Sequence, residues 1–573
     1  MARKPAKKDA SKTQSFEQTL WATADKLRGS VESSEYKHVV LSLIFLKFIS
    51  DKFTQRKQQL INEGQGDYVN MVEFYTMTNT FYLPENSRWE YIAQHAKQDD
   101  IAVKIDTALY IIEKNNPSLR GALPDNYFSR LGLDVSKLAA LIDGINNIDT
   151  IVQAVGADGE DSADSAAQKA ASEEDIVGRV YEYFLGNFAA TEGKGGGEFY
   201  TPKCVVNLLA EMIEPYHGKI YDPCCGSGGM FVQSIKFVES HQGNKKNISI
   251  YGQEQTSTTY KLAKMNLAIR GISANLGAVP ADTFFKDQHP DLKADFIIAN
   301  PPFNLKDWRG PDELTNDPRW AGYDTPPTGN ANYGWILHMI SKLSDNGVAG
   351  FVLANGSMST NTKGEGQIRQ QIINNDLVDC MIALPGQLFY TTQIPVCLWF
   401  LTKNKREQTF SDGRKQHRNR QGETLFIDAR NMGSMIDRTH KELTADDIAL
   451  IARTYHLWRG EPVGAQSGVE RAAQALESGA DGSDVGRLMS DAYQDVAGFC
   501  RSASLADIQA NDYVLTPGRY VGAAEVEDDG ELFEEKMQQL TQTLFQQMQD
   551  AEKLDKTIRN NLVNLGFGDI QHD

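Results

Sequence analysis

The chain has 573 residues, 41% of them hydrophobic and 23% charged, a soluble globular composition that provides for several domains and at least one large core. A net charge of −18 argues against a large nucleic-acid-binding surface on this chain by itself. Its six cysteines are scattered without a CxxC pair, which indicates neither a zinc site nor a disulfide framework and fits a reducing cytoplasm.

Residues 1–14 are basic and run into polar sequence instead of an apolar segment, the pattern of a tail and not of a secretory signal. From 15 to 155 the pattern is mainly helical. Helices are expected at 16–27 and 33–53, the second with Val40, Leu43, Ile44 and Phe48 at helical spacing. The apolar run at 39–49 contains Lys47 and is too short to span a bilayer, so no membrane segment is expected. Trp89 and Tyr91 fit either a core or a contact surface. The stretch 156–174 is small and acidic without hydrophobic periodicity, which marks a linker. A helix at 175–189 follows and ends in a glycine-rich segment and EFYTP, residues 198–202.

Strands and helices then alternate. Strands are expected at 219–221, 248–252, 294–299, 348–353, 377–384, 396–402 and 424–428, with helices at 203–213, 231–239, 257–270, 335–343 and 367–374 between the earlier ones. This predicts an α/β, doubly wound sheet over 175–435. The last two strands are joined by the polar run 403–421 and no helix, which predicts an antiparallel hairpin at the sheet edge. Residues 436–530 read as helical or irregular, with a capping-type helix start at 443–447. In 531–573 the residues Met537, Leu540, Leu544, Met548, Ala551, Leu554, Ile558, Leu562 and Leu565 recur mostly every three or four positions. Such a coiled-coil-like stripe suits packing on its own domain and binding a partner helix equally.

The chemistry gathers where strands end. In ADFIIANPPF (294–303) an apolar run stops at Asn300, Pro301, Pro302 and Phe303, because the two prolines lack backbone donors. In an open α/β sheet, ligands bind outside such carboxyl ends. Upstream, KIYDPCCGSGGMF ends a strand at Asp222 and breaks into a loop with Gly226, Ser227 and Gly228, where backbone approaches a ligand closely. The dinucleotide pattern GxGxxG is absent, and a carboxylate in its place suits a cationic amino group. Glu254, after the next strand, is placed to accept both ribose hydroxyl hydrogens of an adenosine. Asp282, in PADTFF, suits either an adenine amino group or an ordinary surface loop. Acids at successive strand ends describe an S-adenosylmethionine pocket.

DPCCGSGGM followed by YGQE, DTF and NPPF resembles the adenine N6 methyltransferases, whose signature (N/D/S)PP(Y/F/W) is satisfied by residues 300–303. The resemblance implies a Rossmann-like methyltransferase domain that needs no metal. It implies that the Asn300 side-chain oxygen and the Pro301 carbonyl accept the two hydrogens of an exocyclic amine, with Pro302 beside them. That frees the nitrogen lone pair for attack on a sulfonium methyl. Phe303 would stack on an adenine rotated out of duplex DNA. EFYTP resembles the segment covering the methionine end of the cofactor, which nominates Glu198, Tyr200 and Thr201. Phe389 and Tyr390 stand where relatives place a second base-stacking ring, although core packing also suits them.

Taken with YKHVVLSLIFLKFISDKF, LPGQLFYTTQIPVCLWFL and NDYVLTPGRYV, the chain resembles the modification subunit of type I restriction-modification systems. The resemblance implies two modification subunits on one specificity subunit that reads the DNA, with restriction subunits in the full complex. A partner that recognises the bases makes the acidic charge tolerable, and its helices become the natural counterpart of 531–573. The basic residues between Lys403 and Arg420 fit contact with DNA phosphates or a solvated hairpin. The loop 304–333 is placed to close over a flipped base. Two other readings remain open at this point: methylation of a protein glutamine amide, which uses the same NPP(Y/F) logic, and a non-catalytic assembly scaffold.

Overall fold

The computed structural model describes residues 33–147, 201–241, 243–389, 394–409, 416–461, 490–522 and 533–564. Its N-terminal part is organised by α1 (Ser33–Asn62), whose stretch 38–50 is buried on every side. Full burial explains why the run is apolar all round, and its one cation, Lys47, is held by Asp51 a turn later. Around it pack α2 (Ile101–Asn115) and α3 (Val135–Asn146), in a core that holds Val40, Leu43, Ile44 and Phe48. Trp89 is part of this core, with its indole N–H donating to Asn146 Oδ1 at 2.8 Å. Tyr91 packs half-buried against it. The expected helices at 16–27 and 175–189 and the linker at 156–174 lie outside the described residues.

A nine-stranded sheet carries the rest. Its strands are β1 (Gly218–Asp222), β2 (Ile248–Gly252), β3 (Ala274–Asn275), β4 (Ala294–Ala299), β5 (Leu343–Ala354), β6 (Val378–Ala383), β7 (Val396–Thr402), β8 (Glu423–Asp428) and β9 (Cys500–Ser504). They lie in the order β9-β8-β6-β7-β5-β4-β1-β2-β3. Strands β1 to β6 and β8 run one way, while β7 and β9 run against them. Helices α4 (Lys203–Ile213), α5 (Gly229–Ser240), α6 (Ser257–Ile269), α7 (Asn332–Lys342), α8 (Glu365–Asn374) and α9 (Ala445–Arg459) cover it. One face packs on α4 and α9, the other on α7 and α8, and α5 and α6 close around β1 to β3. This is the expected doubly wound sheet.

Its antiparallel part is arranged differently from the expectation. The strands at 396–402 and 424–428 are not hairpin partners: β7 lies inside the sheet between β5 and β6, and β8 pairs with β6 in parallel. All seven residues of β7 are buried, so both of its faces need cover and an interior position suits it. The antiparallel edge exists, but β9 forms it against β8. That strand comes from 436–530 and reads CRSAS, too short and polar to announce itself. Helix α9 in the same stretch begins at a capping box between Thr444 and Asp447.

The polar run after β7 folds into its own small hairpin, pairing Gln408–Thr409 with Gln416–His417. Several of its cations are spent inside the protein. The buried Lys405 Nζ pairs with Asp376 at 2.7 Å and donates to the carbonyls of Val378 and Glu423 at 2.6 and 2.8 Å. Buried Arg420 faces Asp379 at 3.3 Å, and Arg418 pairs with Glu423 at 2.7 Å. The last element, α10 (Phe533–Asn564), exposes every side chain described on it, including Leu544, Met548, Leu554 and Ile558. Among the described residues no helix is long and apolar enough to cross a membrane.

Candidate active site

Because β1, β2 and β4 are parallel neighbours, their carboxyl ends bring Asp222, Glu254 and Asn300 to one edge. Asp222 closes β1, and Pro223 cannot continue the ladder. Its carboxylate is buried, accepts the Cys224 N–H at 3.0 Å, and is pushed up to about 7 by burial, with the charge of Glu254 adding to the shift. Beyond it the chain turns through Gly226 and Gly228 at φ of 54° and 80°. Gly228 caps α5 in the left-handed region, where a side chain is strained.

Glu254 Oε2 accepts the N–H of Gly226 at 3.1 Å and Oε1 that of Thr256 at 2.7 Å, which fixes the carboxylate against both loops. Asp282 is half-buried and caps its own turn, accepting from Phe284 N at 2.7 Å and Phe285 N at 3.3 Å. The Ala281 N–H donates to the Glu254 carbonyl at 2.9 Å, so these two acids sit side by side. Gln253, which the sequence reading passed over, makes this arrangement rigid. Its buried amide donates to the Ala281 and Lys286 carbonyls at 3.0 and 2.8 Å and accepts from Gln288 N at 2.9 Å. Its only signal in sequence is its place in YGQE, one residue before the acid.

Asn300 follows β4. Its Nδ2 donates to Thr201 Oγ1 at 2.9 Å, across 99 positions of sequence, while its Oδ1 is buried with no hydrogen-bond partner. Such an acceptor costs about 1–3 kcal/mol to leave unpaired, and it sits in the lining of a cavity of about 80 Å³. Thr201, Asp222, Gly226 and Ser227 line the same cavity, as does Lys203 at the first turn of α4. Glu254 and Asp282 stand along the neighbouring strand ends, outside that lining. Glu198, Tyr200 and Tyr390 lie outside the described residues.

The N-6 DNA methylase family matches residues 172–529, and the HsdM N-terminal domain family matches 16–145. The type I restriction enzyme HindI methylase subunit of Haemophilus influenzae is 46% identical over 85% of this chain and all of its own length. The chain belongs to the N-6 DNA methylase family. Within it, this is an adenine-specific methylase subunit of the type I restriction class. The type I MjaIX methylase subunit of Methanocaldococcus jannaschii is 35% identical over 97% of this chain and 92% of its own. Among solved structures, the type I methyltransferase subunit of Streptococcus thermophilus superposes with a TM-score of 0.65 at 21% identity, over 88% of this chain and 99% of that one. It shows the same fold.

Two of the three aromatic residues expected to stack on a base, Phe303 and Phe389, come together, but not as an open slot. Phe303 and Phe389 meet edge to face, with ring centroids 5.9 Å apart and planes at 73°. Phe389 is buried and Phe303 half-buried. Pro301 is buried and Pro302 half-buried. The following loop is clasped at its base, where Asn304 N–H donates to Asn332 Oδ1 at 3.0 Å and Asn332 Nδ2 returns to Asn304 Oδ1 at 2.9 Å. Inside it Trp308 and Trp320 are buried and Arg309 donates to the Pro326 carbonyl, so the loop is a packed unit and not a loose flap. Elsewhere, Glu214, His456 and Glu461 have ligand-type atoms within 4.8 Å of one another. Glu461 is already engaged there by His417, His456 and Arg459 at 2.8, 2.9 and 3.1 Å. That is an ion-pair network closing the far end of α4.

Proposed function

We propose that the methylase transfers a methyl group from S-adenosylmethionine to adenine N6, with Asn300 as the residue that prepares the amine. The observation that carries this is the unpaired, buried Asn300 Oδ1 in a cavity shared with the Asp222 loop. When bound, S-adenosylmethionine supplies an electrophilic sulfonium methyl. The residues present fit it: Asp222 for the amino group, the backbone of Gly226, Ser227 and Gly228 beside it, Glu254 for the ribose hydroxyls and Asp282 for the adenine amino group. The 198–201 segment, with Glu198, Tyr200 and Thr201, covers the methionine end.

An exocyclic amine conjugated with its ring is a poor nucleophile. The Asn300 Oδ1 and the Pro301 carbonyl accept its two hydrogens and draw the nitrogen toward tetrahedral geometry, which turns the lone pair out of conjugation. Pro301 and Pro302 carry no backbone N–H of their own to compete for those acceptors. Phe303, with Phe389 and Tyr390, holds the extruded base by stacking.

Duplex recognition belongs to a specificity subunit, which binds two copies of this chain through α10 and is joined by restriction subunits in the cytoplasm. Residues 15–155 serve assembly and 175–435 the chemistry. A protein glutamine amide as substrate loses its support to the DNA methylase match over 172–529. The test mixes the chain with its specificity subunit, DNA and labelled cofactor. Label appears on adenine N6, and Asn300→Ala lowers transfer by at least ~100-fold while assembly and cofactor binding persist. Full activity in that variant sinks the assignment, and absence of cofactor binding by the assembled wild type favours a scaffold.

A further inference from the structure

Thr201 is expected from the sequence to touch the cofactor, yet its hydroxyl oxygen is already the acceptor for Asn300 Nδ2 at 2.9 Å. The two ends of an asparagine amide are nearly the same shape and opposite in chemistry. With Oδ1 toward the substrate, the amide accepts amine hydrogens. Turned over, it points N–H donors at other N–H donors and the reaction is blocked. A threonine hydroxyl serves either arrangement, because it has one proton to give and two lone pairs to receive. The side on which Thr201 gives its proton therefore decides which way Asn300 faces.

The surroundings favour one answer. Thr201 lines the same cavity as Lys203 and Asp222. The first turn of α4 opens there, since the Val205 and Val206 N–H groups already bond to the Pro202 carbonyl while the helix's first amides precede them. A helix start with a lysine attracts an anion, and Asp222 across the cavity attracts a cation. Together they suit the zwitterionic amino-acid end of the cofactor.

We propose that Thr201 is a positioning residue that couples cofactor occupancy to the orientation of Asn300. Its hydroxyl donates to the cofactor carboxylate, its oxygen must then accept from Asn300 Nδ2, and Asn300 Oδ1 is left facing the adenine. This rests on the methyl-transfer reading above and adds to it that the amide is set before the base arrives. With the carboxylate missing, Thr201 is free to donate to Asn300 instead, and the preference for the productive orientation falls.

The test uses the complete complex with its specificity subunit and a recognition duplex that keeps adenine at the target position and carries 2-aminopurine at the neighbouring base, where it brightens when the target leaves the stack. Three quantities are read for wild type, Thr201→Val and Thr201→Ser: affinity for a non-reactive cofactor analogue, the increase in 2-aminopurine fluorescence and DNA affinity that the analogue produces, and kcat. Thr201→Val is expected to lower kcat on the order of tenfold, to change analogue affinity by only a few-fold, and to abolish the analogue's effect on base capture. Thr201→Ser, which keeps the hydroxyl, restores both. Unchanged coupling in Thr201→Val overturns the inference. So does a loss of analogue affinity equal to the loss of kcat, which makes Thr201 a cofactor ligand alone, and so does failure of Thr201→Ser to rescue, which assigns the effect to packing. A wild-type complex that methylates no adenine defeats the parent reading instead, independently of the variants.

Discussion

Gly226 donates its backbone N–H to Glu254 Oε2 at 3.1 Å, which ties the loop after β1 to the acid after β2. The same contact brings a negative charge near Asp222, whose buried carboxyl titrates at about 7. A buried acid and a half-buried one are thus held close, a costly arrangement that a cation relieves.

The pH dependence follows from its sign. A free aspartate titrates at about 3.9, so the folded protein binds the Asp222 proton more tightly than the unfolded chain does. This group therefore withdraws stability from the cofactor-free protein as pH rises from about 4 to about 7. An ammonium beside it favours the ionised form. Cofactor affinity is expected to rise with pH below 7, approaching tenfold per unit, and binding at pH 6 to release close to one proton. Calorimetry in buffers of different ionisation enthalpy measures the release. Asp222→Asn should weaken binding and flatten the slope, and a flat profile in wild type between pH 6 and 7 excludes this role.

The edge-to-face contact of Phe303 and Phe389 leaves no parallel slot, so the rings must part to hold a base. Giving up their contact costs about 1 kcal/mol, against about 1–3 kcal/mol gained per stacked base. Phe389→Ala and Phe303→Ala should each weaken target-DNA binding by roughly tenfold and reduce 2-aminopurine fluorescence. The double variant should lose less than the two effects added. Strict additivity in that cycle argues that the two rings act separately.

Lys405 lies in the basic run that suggested contact with DNA phosphates, yet its ammonium is enclosed by Asp376 and two carbonyls. Lys405→Met takes the ammonium from two carbonyls and from Asp376, which stays half-exposed and bonded to the Gly422 N–H at 2.9 Å, and should cost about 2 kcal/mol of stability. It should leave the salt dependence of DNA binding by the complex unchanged. Exposed Arg406 should show no comparable loss of stability. Chemical denaturation and salt titration separate the two roles, and a stable Lys405→Met with a shallower salt slope restores the phosphate-contact reading.

Helix α10 exposes Leu544 at 56% and Met548 at 58%, one turn apart on one face. A double change of both to Asp should abolish co-purification with the specificity subunit. The melting of the free chain should shift by less than about 0.5 kcal/mol equivalent, since no core is touched. Retained assembly in that variant moves the interface elsewhere.

What could be read from sequence was whatever one strand and its next few residues decide. Asp222, Glu254 and Asn300 each follow a short apolar run, and the order of acids was enough to place them on one edge. The pairing of Thr201 with Asn300 was hidden, because 99 positions separate them and neither residue type requires the other. The clamp by Gln253 was hidden for a related reason: a buried amide looks like any polar residue until its three partners are known. Strand β7 was found but misplaced, since an apolar run reports burial and not neighbours. Strand β9 was missed because its polar residues gain a place in the sheet only from β8, far behind it in the chain.

Helix α6 belongs to two cores at once. Leu262, Met265 and Ile269 are buried in the core around α1, while Tyr260, Ala263 and Leu267 pack toward β1 and β2. Lys264, between them, donates to the Arg120 carbonyl of the helical domain at 2.9 Å. A rod gripped at both sides cannot lean for one neighbour without dragging the other. The N-terminal helices and the strand that leads to Glu254 are therefore two sides of one continuous packed body.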